Sequence, residues 1–475
     1  MTASGVEAPI LFGTNGWRGI LAEDFSFPRL RRALVGVSRW FRQAGAGEVL
    51  VAHDTRFLGP EMAQLAARSL LAHGIDARLA RGSTPTPAVT RGVRRRRAAG
   101  AVVLTASHNS ARYQGLKVFG PSGGCIDDAS ARRVERWIAA AGDTGPDTGA
   151  CVPSLDLRRP YLRDLHRCLD TERLARSRLR VAYDAMHGAG AGTLDEALTK
   201  AGVSVALLRA DPDPGFGGGA PDPRAETLTR LRSEVRSTRR IRLGLATDGD
   251  ADRLAVVDGD GRTLSETETL ALLVDHLVRS GRVRRGLAVS LATGSLVTRV
   301  AEAHGLAVSH HPIGFKHVSQ ALLAGEADVA GDESGGFALG TFGVDKDGML
   351  GACLMAESLA SDSRPLRVRL AALRRQHGGG ACGRHALAAG PRAGQRLAAL
   401  QQNPPSRLDG ARVRQARLAD GLYLGLDDGF LMLRVSGTEP VVRVYAEAPG
   451  ARRLRRRLEA GARLLGPGGA RSESQ

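Results

Sequence analysis

The strongest constraint on the fold of this chain is a repeated alternation of short apolar runs with segments of helical spacing. The apolar runs have strand length and occupy residues 48–52, 77–80, 100–104, 179–183, 241–246 and 286–291. Helical spacing follows in the intervals, as in residues 60–71, 265–279 and 295–303. This β/α alternation predicts mainly parallel sheets in which ligand-binding loops follow the strands.

Length and local composition predict several domains. The 475 residues are too many for one hydrophobic core and indicate about three domains, or four. Residues 140–155 are rich in Gly, Asp and Pro and are typical of a linker, while the Gly/Ala/Arg-rich residues 377–397 lead into a smaller last domain. We expect residues 466–475 to form a disordered tail.

Composition also predicts where the protein works. No apolar run reaches the roughly 18 residues that a membrane span requires, so we expect no membrane partner. Residues 1–7 contain no basic region followed by an apolar stretch, which predicts no signal peptide. Five scattered cysteines predict neither a disulfide framework nor a zinc site. We therefore expect a reducing, cytoplasmic location.

The net charge of +18 raises nucleic acid as a possible partner. However, only four of the 67 basic residues are lysine, and the arginines are spread along the whole chain. Basic runs such as residues 94–97 have no interleaved aromatic side chains for base stacking. The excess of arginine is typical of a compositional bias, and a small anionic substrate suits it equally well. We therefore predict no nucleic-acid partner.

A small polar loop, Thr-Ala-Ser-His-Asn-Ser at residues 105–110, follows the apolar run at 100–104. We expect it to expose a hydroxyl and an imidazole at Ser107 and His108, and Lys117 follows ten residues after the serine. Most such triplets are ordinary turns whose side chains satisfy backbone groups. Ser107 is nevertheless a candidate nucleophile, because further polar loops downstream suit other parts of a phosphoryl-transfer site.

Three carboxylates at alternate positions, Asp248, Asp250 and Asp252, follow the run at 241–246. They would repel one another strongly unless a cation lay among them. In an extended loop this spacing points all three side chains the same way, and an all-oxygen site suits Mg²⁺. A calcium loop fits poorly, because Gly259 stands where an EF-hand requires glutamate. A solvated acidic turn is the alternative.

Three further loops carry groups suited to anions or hydroxyls. Residues 12–19 form a glycine-rich loop in which Arg18 can fork onto an oxyanion. Residues 331–336, Gly-Asp-Glu-Ser-Gly-Gly, offer two acids and a serine to sugar hydroxyls. Residues 434–443 present arginines, hydroxyls and backbone N–H groups without apolar bulk, which is the donor set of a phosphate cradle. Taken alone, the first two loops favour simple turns, whereas the third fits a phosphate cradle and a surface turn equally well.

In this order and spacing, these motifs resemble those of the α-D-phosphohexomutases, which include phosphoglucomutase and phosphomannomutase. The resemblance covers residues 9–450. It implies three domains of one mixed α/β topology around a cleft, and a smaller C-terminal α+β domain similar to the TATA-binding protein. The implied division is 1–150 with the phosphoserine loop, 151–256 with the metal loop, 257–365 with the sugar loop and 366–465 with the phosphate loop.

The resemblance also implies roles for individual residues. Ser107 would be carried as phosphoserine, and it would hold Mg²⁺ together with Asp248, Asp250 and Asp252. His108, Lys117 and Arg18 would act as acid/base or charge-stabilising groups. The substrate-binding residues would be Arg253, Lys316, Asp332, Glu333, Ser334, Arg434, Ser436, Gly437, Thr438 and Arg443.

The implied reaction interconverts hexose 1-phosphate and hexose 6-phosphate through a hexose 1,6-bisphosphate, with glucose preferred and mannose second. Two departures from the family pattern bear on the sugar. Asp332 replaces the usual glutamate and has Glu333 beside it, which leaves open which acid contacts the sugar. Ser290 stands where some members carry lysine. A sugar-bisphosphate synthase and a Mg²⁺-dependent sugar phosphatase remain alternatives, and the oligomer can be a monomer or a dimer.

Overall fold

The computed structural model describes residues 8–13, 16–45, 47–142, 149–389, 392–418, 420–435 and 441–465. These fall into two compact units, residues 1–264 with 335–366, and residues 265–334 with 367–475. The predicted tail at 466–475 lies outside the described residues. Among the helices in the described ranges, none has the length and apolarity needed to cross a membrane.

The first sheet and its helices occupy the N-terminal part of the first unit. Their bounds are β1 Trp17–Ile20, α1 Phe27–Gln43, β2 Val49–His53, α2 Gly59–Ala72, β3 Ala77–Ala80, α3 Thr86–Arg96, β4 Gly100–Leu104, β5 Tyr113–Phe119, α4 Asp128–Ala139 and β6 Ser154–Leu155. The strand order is β1-β5-β4-β2-β3-β6. The pairs among β4, β2, β3 and β6 are parallel, whereas β5 runs antiparallel to both of its neighbours.

Both faces of this sheet are covered, which explains the continuously apolar sequence of its central strands. All five residues of β2 and of β4 are buried. Side chains of Val51 and Val102 pack against helices α1 and α2 on one face, while Leu50 and Val103 belong to a separate cluster on the other. The carboxyl end of β4, which leads to Ser107, is therefore anchored from both sides.

A second, four-stranded sheet follows in the same unit. Its elements are α5 Arg158–Cys168, α6 Thr171–Ser177, β7 Arg180–Asp184, α7 Leu194–Lys200, β8 Ser204–Leu208, a 3₁₀ turn Phe216–Gly218, α8 Thr229–Ser237, β9 Leu243–Thr247 and β10 Leu254–Asp258. The order β10-β9-β7-β8 places the antiparallel hairpin of β9 and β10 at one edge. The Asp248–Asp252 loop is the connection within this hairpin.

The second unit contains the third sheet, in which β11 is flanked by β12 and β13 with both pairings parallel. The elements are α9 Glu266–Arg279, β11 Gly286–Ser290, α10 Ser295–Ala303, β12 Ala307–His311, α11 Phe315–Leu323 and β13 Val329–Gly331. Helix α9 begins where a capping box forms. The Ser265 hydroxyl accepts the Glu268 N–H at 3.2 Å, and the Glu268 carboxylate accepts the Ser265 N–H at 2.9 Å.

Two further elements, β14 Phe337–Leu339 and α12 Gly348–Ser361, belong to the first unit. The C-terminal domain of the second unit then has a fully antiparallel sheet with the order β15-β20-β19-β18-β17-β16. The remaining bounds are α13 Leu366–His377, β15 Ala381–Ala388, α14 Ala393–Gln402, β16 Arg407–Leu408, β17 Ala411–Arg417, β18 Leu422–Leu426, β19 Gly429–Val435, β20 Val441–Ala448 and α15 Ala451–Leu464. The chain therefore contains three α/β domains and a C-terminal antiparallel domain.

Candidate active site

Ser107 lies in a strained turn directly after β4. Its backbone has a φ of +54°, a conformation that non-glycine residues rarely adopt and that needs support from the surroundings. The Ser107 N–H donates to the Thr105 hydroxyl at 2.8 Å. The serine side chain is fully buried, so the expectation of an exposed hydroxyl is wrong, because the aspartate loop packs over it. The turn therefore fixes the direction in which the hydroxyl points.

The support for this turn comes mainly from Arg56, which follows β2. Its guanidinium donates to the Ser107 carbonyl at 2.8 Å and to the Ser110 carbonyl at 2.7 Å. Asp54 holds the guanidinium from the other side at 3.1 Å and also accepts the Thr105 hydroxyl at 2.5 Å. One buried ion pair thus joins the end of β2 to the serine loop.

The three aspartates come together, but not in the extended loop that the sequence predicts. Their loop is a tight turn in which the Ala251 N–H donates to the Asp248 carbonyl at 3.0 Å, and Ala251 has a φ of +61°. One oxygen from each of Asp248, Asp250 and Asp252 lies within 4.8 Å of the others. The expectation of an extended loop is wrong, because the hairpin of β9 and β10 must reverse the chain here.

The serine hydroxyl meets the carboxylate cluster directly. Ser107 Oγ donates to Asp248 Oδ2 at 2.7 Å. A second Asp248 oxygen accepts the Arg253 backbone N–H at 3.1 Å. The structure therefore brings together the candidate nucleophile and the candidate metal ligands, which are about 140 residues apart in sequence.

Two lysines and a threonine hold the other two aspartates. Lys117 Nζ lies 2.6 Å from Asp250 Oδ2 and 2.8 Å from Asp252 Oδ2. Lys346 Nζ lies 2.9 Å from the same Asp252 oxygen. The Thr86 hydroxyl donates to Asp250 Oδ2 at 2.5 Å. All of these groups belong to the first unit, and all are buried.

The aspartate cluster fits a divalent cation that prefers oxygen ligands. The Oδ1 atoms of Asp250 and Asp252 are buried, and neither has a hydrogen-bond partner within the part of the chain that the structure describes. A buried carboxylate oxygen left in this way is costly. A metal ion among Asp248, Asp250 and Asp252 would satisfy both oxygens and would offset the repulsion between the carboxylates.

Burial and neighbouring charges shift pKa values within the cluster in opposite directions. Burial, reinforced by Asp252 and Asp250, raises the pKa of Asp248 to about 8. Burial acts in the same sense on Asp252, but the ammonium groups of Lys117 and Lys346 outweigh it and lower the pKa of that carboxyl. Burial would lower the pKa of Lys117, but Asp250 and Asp252 outweigh it and raise that pKa. Lys117 therefore remains an ammonium ion at neutral pH.

His108 and Arg18 lie beside the serine. His108 Nδ1 is 3.5 Å from Ser107 Oγ. Burial, followed by the charges of Arg253 and Arg18, lowers the pKa of His108 well below its usual value. Arg18 donates to the Asn109 amide oxygen at 2.5 Å, while Arg253 Nε lies 4.0 Å from Asp248 Oδ2 and 3.9 Å from Asp252 Oδ1. The neutral His108 imidazole thus lies among cationic side chains that can bind an anion.

In the second unit, the two acids of the loop after β13 have different partners. Asp332 Oδ1 accepts both the backbone N–H and the hydroxyl of Ser334, at 2.9 Å and 2.7 Å. Glu333 instead accepts the Ser290 hydroxyl at 2.5 Å. Burial and the neighbouring Asp332 charge raise the pKa of Glu333. Asp332 therefore stabilises the loop itself, while Ser290 fixes the longer Glu333 side chain.

Arg434 and Arg443 are directly paired across β19 and β20. Like charges directly opposite each other destabilise a sheet unless a counter-ion lies nearby. Asp420 is a counter-ion for one of the two arginines, since its Oδ1 accepts from Arg434 Nε at 2.8 Å. The pair is thus a cationic surface suited to an anion. Three predicted members of this loop, Ser436, Gly437 and Thr438, lie outside the described residues.

The remaining predicted substrate residue is Lys316, which is the second residue of α11 in the second unit. Helix α11 begins after Gly314, whose φ of +120° is a conformation that suits glycine. Lys316 is half-buried. Its role as a substrate contact remains a prediction.

Comparisons with known proteins match the whole length of this arrangement. Models of the phosphoglucomutase/phosphomannomutase α/β/α domains I, II and III match residues 9–144, 159–261 and 265–376, and the model of the C-terminal domain matches residues 388–464. The chain belongs to the α-D-phosphohexomutase family. The fold and family expected from the sequence are thereby confirmed.

Individual relatives of this phosphohexomutase carry names with different sugars. A phosphoglucomutase/phosphomannomutase from Thermococcus kodakarensis is 29% identical, with 96% of this chain and 98% of the relative covered. A phosphoglucosamine mutase from Mycolicibacterium gilvum is 31% identical, with 92% and 95% covered. Among solved structures, a putative phosphomannomutase from Thermus thermophilus has a TM-score of 0.86 at 30% identity, with 97% and 100% covered.

Several residues of this phosphohexomutase site are not marked as site residues by the sequence. Thr86 belongs to a turn of alternating Thr and Pro, and Arg56 follows an ordinary buried strand, so neither carries a local signal of its role. Lys346 carries a weak signal, since it is one of only four lysines in a chain rich in arginine. Ser290 departs from the family pattern, but its contact with Glu333 depends on the pairing of β11 with β13.

Proposed function

We propose that this phosphohexomutase interconverts hexose 1-phosphate and hexose 6-phosphate, using Ser107 as a phosphoserine. Phosphoserine 107 donates its phosphoryl group to the free hydroxyl of the bound monophosphate, which forms a hexose 1,6-bisphosphate. The serine oxygen recovers a proton in this step. The bisphosphate then turns over and returns its other phosphoryl group to Ser107. Free hexose 1,6-bisphosphate therefore serves as activator as well as intermediate.

The observation that carries this proposal is the 2.7 Å contact between Ser107 Oγ and Asp248 Oδ2. A nucleophilic oxygen in contact with a carboxylate of a candidate metal site is the arrangement that metal-assisted phosphoryl transfer requires. In the proposal Asp248, Asp250 and Asp252 would hold Mg²⁺ together with an oxygen of phosphoserine 107. Mg²⁺ would supply neutralisation of the charge that develops on the transferring phosphoryl group.

The protonation states support separate roles for the neighbouring side chains. His108 is neutral at pH 7 because of its lowered pKa, so it can take the proton of the attacking sugar hydroxyl and pass it to the departing serine oxygen, 3.5 Å away. Lys117 stays charged because of its raised pKa, so it acts as a fixed positive charge. Arg18 and Arg253 add further positive charge for the phosphoryl oxygens.

The second unit contributes recognition in this proposal. Arg434 and Arg443, with Ser436, Gly437 and Thr438, hold the phosphate that is not being transferred. Lys316, Glu333 and Ser334 contact the sugar hydroxyls, while Asp332 stabilises their loop. The division into domains at 1–150, 151–256, 257–365 and 366–465 belongs to the same proposal, as do a cytoplasmic location and a monomeric or dimeric state.

Glucose is the first sugar to test, and mannose is the second. The Asp-Glu-Ser-Gly-Gly and Gly-Phe-Lys segments of this chain favour these two sugars over glucosamine. Relatives named phosphoglucosamine mutase are nevertheless as similar to this chain as the relative named phosphoglucomutase/phosphomannomutase. Glucosamine phosphate therefore belongs in the same assay.

The test is a coupled mutase assay with Mg²⁺ and a catalytic amount of glucose 1,6-bisphosphate, run separately on the 1-phosphates of glucose, mannose and glucosamine. Wild type should convert at least one of them, and Ser107→Ala should lose activity by a factor of about 10⁴ or more, since no covalent intermediate can form. Ser122→Ala, in the turn before α4, serves as the matched control. Release of inorganic phosphate without isomerisation, or equal activity in Ser107→Ala, would contradict the proposal.

A further inference from the structure

A cavity of about 480 Å³ lies in the first unit, beside α1 and α4. Its wall is formed by the segment that precedes β1, by the first turns of α1 and by most of α4, with Ile10, Arg29, Arg32, Arg132, Arg136 and Ile138 among the lining residues. This volume falls within the range of small-molecule sites. None of the lining residues belongs to the serine loop or the aspartate loop, so the cavity is separate from the site of the proposed reaction.

The cavity wall is strongly cationic. Four arginines line it, and Glu135 is the only acid among the lining residues that the structure describes. One Glu135 oxygen accepts the Phe12 backbone N–H at 2.6 Å, so that oxygen is bonded to a neutral donor rather than to an arginine. Arg132 and Arg136 are four residues apart on the exposed face of α4, and the structure shows no ion pair between either of them and a described residue. An anion is the ligand that this wall suits.

The strongest sign of a missing partner is at Arg29, which is only 6% exposed. Its Nη2 donates to the Ala8 carbonyl at 2.5 Å, and its Nη1 lies 3.9 Å from an Asp24 oxygen. Its Nε is buried and has no hydrogen-bond partner among the residues that the structure describes. A buried charged donor left in this way costs about 1–3 kcal/mol or more, so the charge of Arg29 beside the cavity is incompletely compensated, and an anion in the cavity would offset it.

The other part of the wall is apolar. Ile10 and Ile138 are buried against the core of the first sheet, at 7% and 2% exposure. Leu11 also lines the cavity and is 55% exposed. Covering Leu11 with an apolar group would remove much of that exposed surface from water.

We propose that this cavity binds a small amphiphilic anion, namely a carboxylate or phosphate monoester attached to a short apolar chain. The head group accepts from Arg29 and from the Arg132 and Arg136 pair. The chain covers Leu11 and the two isoleucines. Neither part of the wall would suffice alone, because an inorganic anion leaves Leu11 exposed and an apolar ligand leaves the arginines without a counter-ion.

The experiment uses the full-length protein and titration calorimetry, with octyl phosphate as the main probe below its micelle concentration. Octanoate distinguishes a carboxylate head from a phosphate head, inorganic phosphate removes the chain, and octylammonium reverses the charge. Octyl phosphate or octanoate should bind at one site per chain, at least tenfold more tightly than inorganic phosphate or octylammonium. Trp17 gives a second readout, because the Arg29 guanidinium lies 5.8 Å from its ring centre.

A double variant, Arg132→Ala with Arg136→Ala, locates the site. It should weaken binding of the octyl anion at least tenfold while leaving fold and mutase activity unchanged, because both side chains are exposed. The matched control is Arg163→Ala with Arg167→Ala, a second exposed pair with the same spacing on α5. Absence of binding to wild type, equal binding of octylammonium, or an equal loss in both double variants would overturn the proposal.

Discussion

Replacing Arg56 by methionine tests whether one buried side chain holds the serine loop in place. The Arg56 side chain is 1% exposed, and its guanidinium donates to the carbonyls of Ser107, Asn109, Ser110 and Tyr113 at 2.5–2.9 Å. Its partner Asp54 has no exposed side-chain surface at all. Arg56→Met keeps much of the side-chain volume, but it removes the charge, the four hydrogen bonds to carbonyls and the ion pair with Asp54.

The expected loss of stability follows from the buried charge left behind. Removing one partner of a buried ion pair costs about 3–5 kcal/mol. The four carbonyls also lose their donor, although water can replace it for those near the surface. We therefore expect Arg56→Met to lower the free energy of unfolding by about 4 kcal/mol, a large share of the roughly 5–15 kcal/mol of a typical domain. Release of the strained Ser107 turn should also lower kcat by about a hundredfold.

Urea unfolding followed by tryptophan fluorescence is the appropriate assay for stability. The three tryptophans of the chain lie in β1, α1 and α4, so they report on the domain that contains Arg56. Arg96→Met is the control, because Arg96 pairs with Glu48 but is 43% exposed and should cost no more than about 1 kcal/mol. Arg56→Lys should be intermediate, since an ammonium ion cannot fork onto several carbonyls. If Arg56→Met loses no more stability than Arg96→Met and keeps wild-type kcat, the reasoning is refuted.

Three further predictions concern the metal site, pH and the sugar loop. Thr86→Val, which removes the donor to Asp250 Oδ2, should raise the Mg²⁺ concentration for half-maximal activity by about tenfold or more, and an unchanged Mg²⁺ titration would contradict this. Burial raises the pKa of Asp347 from 3.8 to about 6. The contribution of this carboxyl to the free energy of unfolding should therefore be complete below pH 3.8 and should be lost as the pH rises to about 6. Asp347→Asn should remove this part of the pH dependence of unfolding while keeping the helix cap. Glu333→Gln should raise KM for the sugar phosphate with little change in the unfolding temperature. Asp332→Asn should lower the unfolding temperature with little change in KM. The opposite pattern would assign the sugar contact to Asp332.

The sequence predicted local elements well because their causes are local. The strands at 77–80 and 100–104 and the helix at 295–303 have the predicted bounds, and the other strands and helices predicted above differ by one or two residues at an end. The turn at Asp248 was predicted as extended because its reversal depends on the pairing of β9 with β10. The contacts of Thr86, Arg56 and Lys346 were not predicted, since each side chain acts on a loop that is distant in sequence.

The charges of the site explain why a metal ion and a phosphoserine should enter it together. With all three carboxyls ionised, as metal binding would require, Asp248, Asp250 and Asp252 would carry three negative charges, and Lys117, Lys346 and Arg253 carry three positive charges within 4.0 Å of them. A phosphoryl group on Ser107 would add between about −1.5 and −2 at neutral pH, and a divalent cation would add +2. Either alone would unbalance a buried cluster in which charge is costly, whereas both together leave it nearly neutral. The dephosphorylated enzyme should therefore bind Mg²⁺ more weakly than the phosphorylated enzyme, because the lysines already neutralise the carboxylates that the metal ion would share.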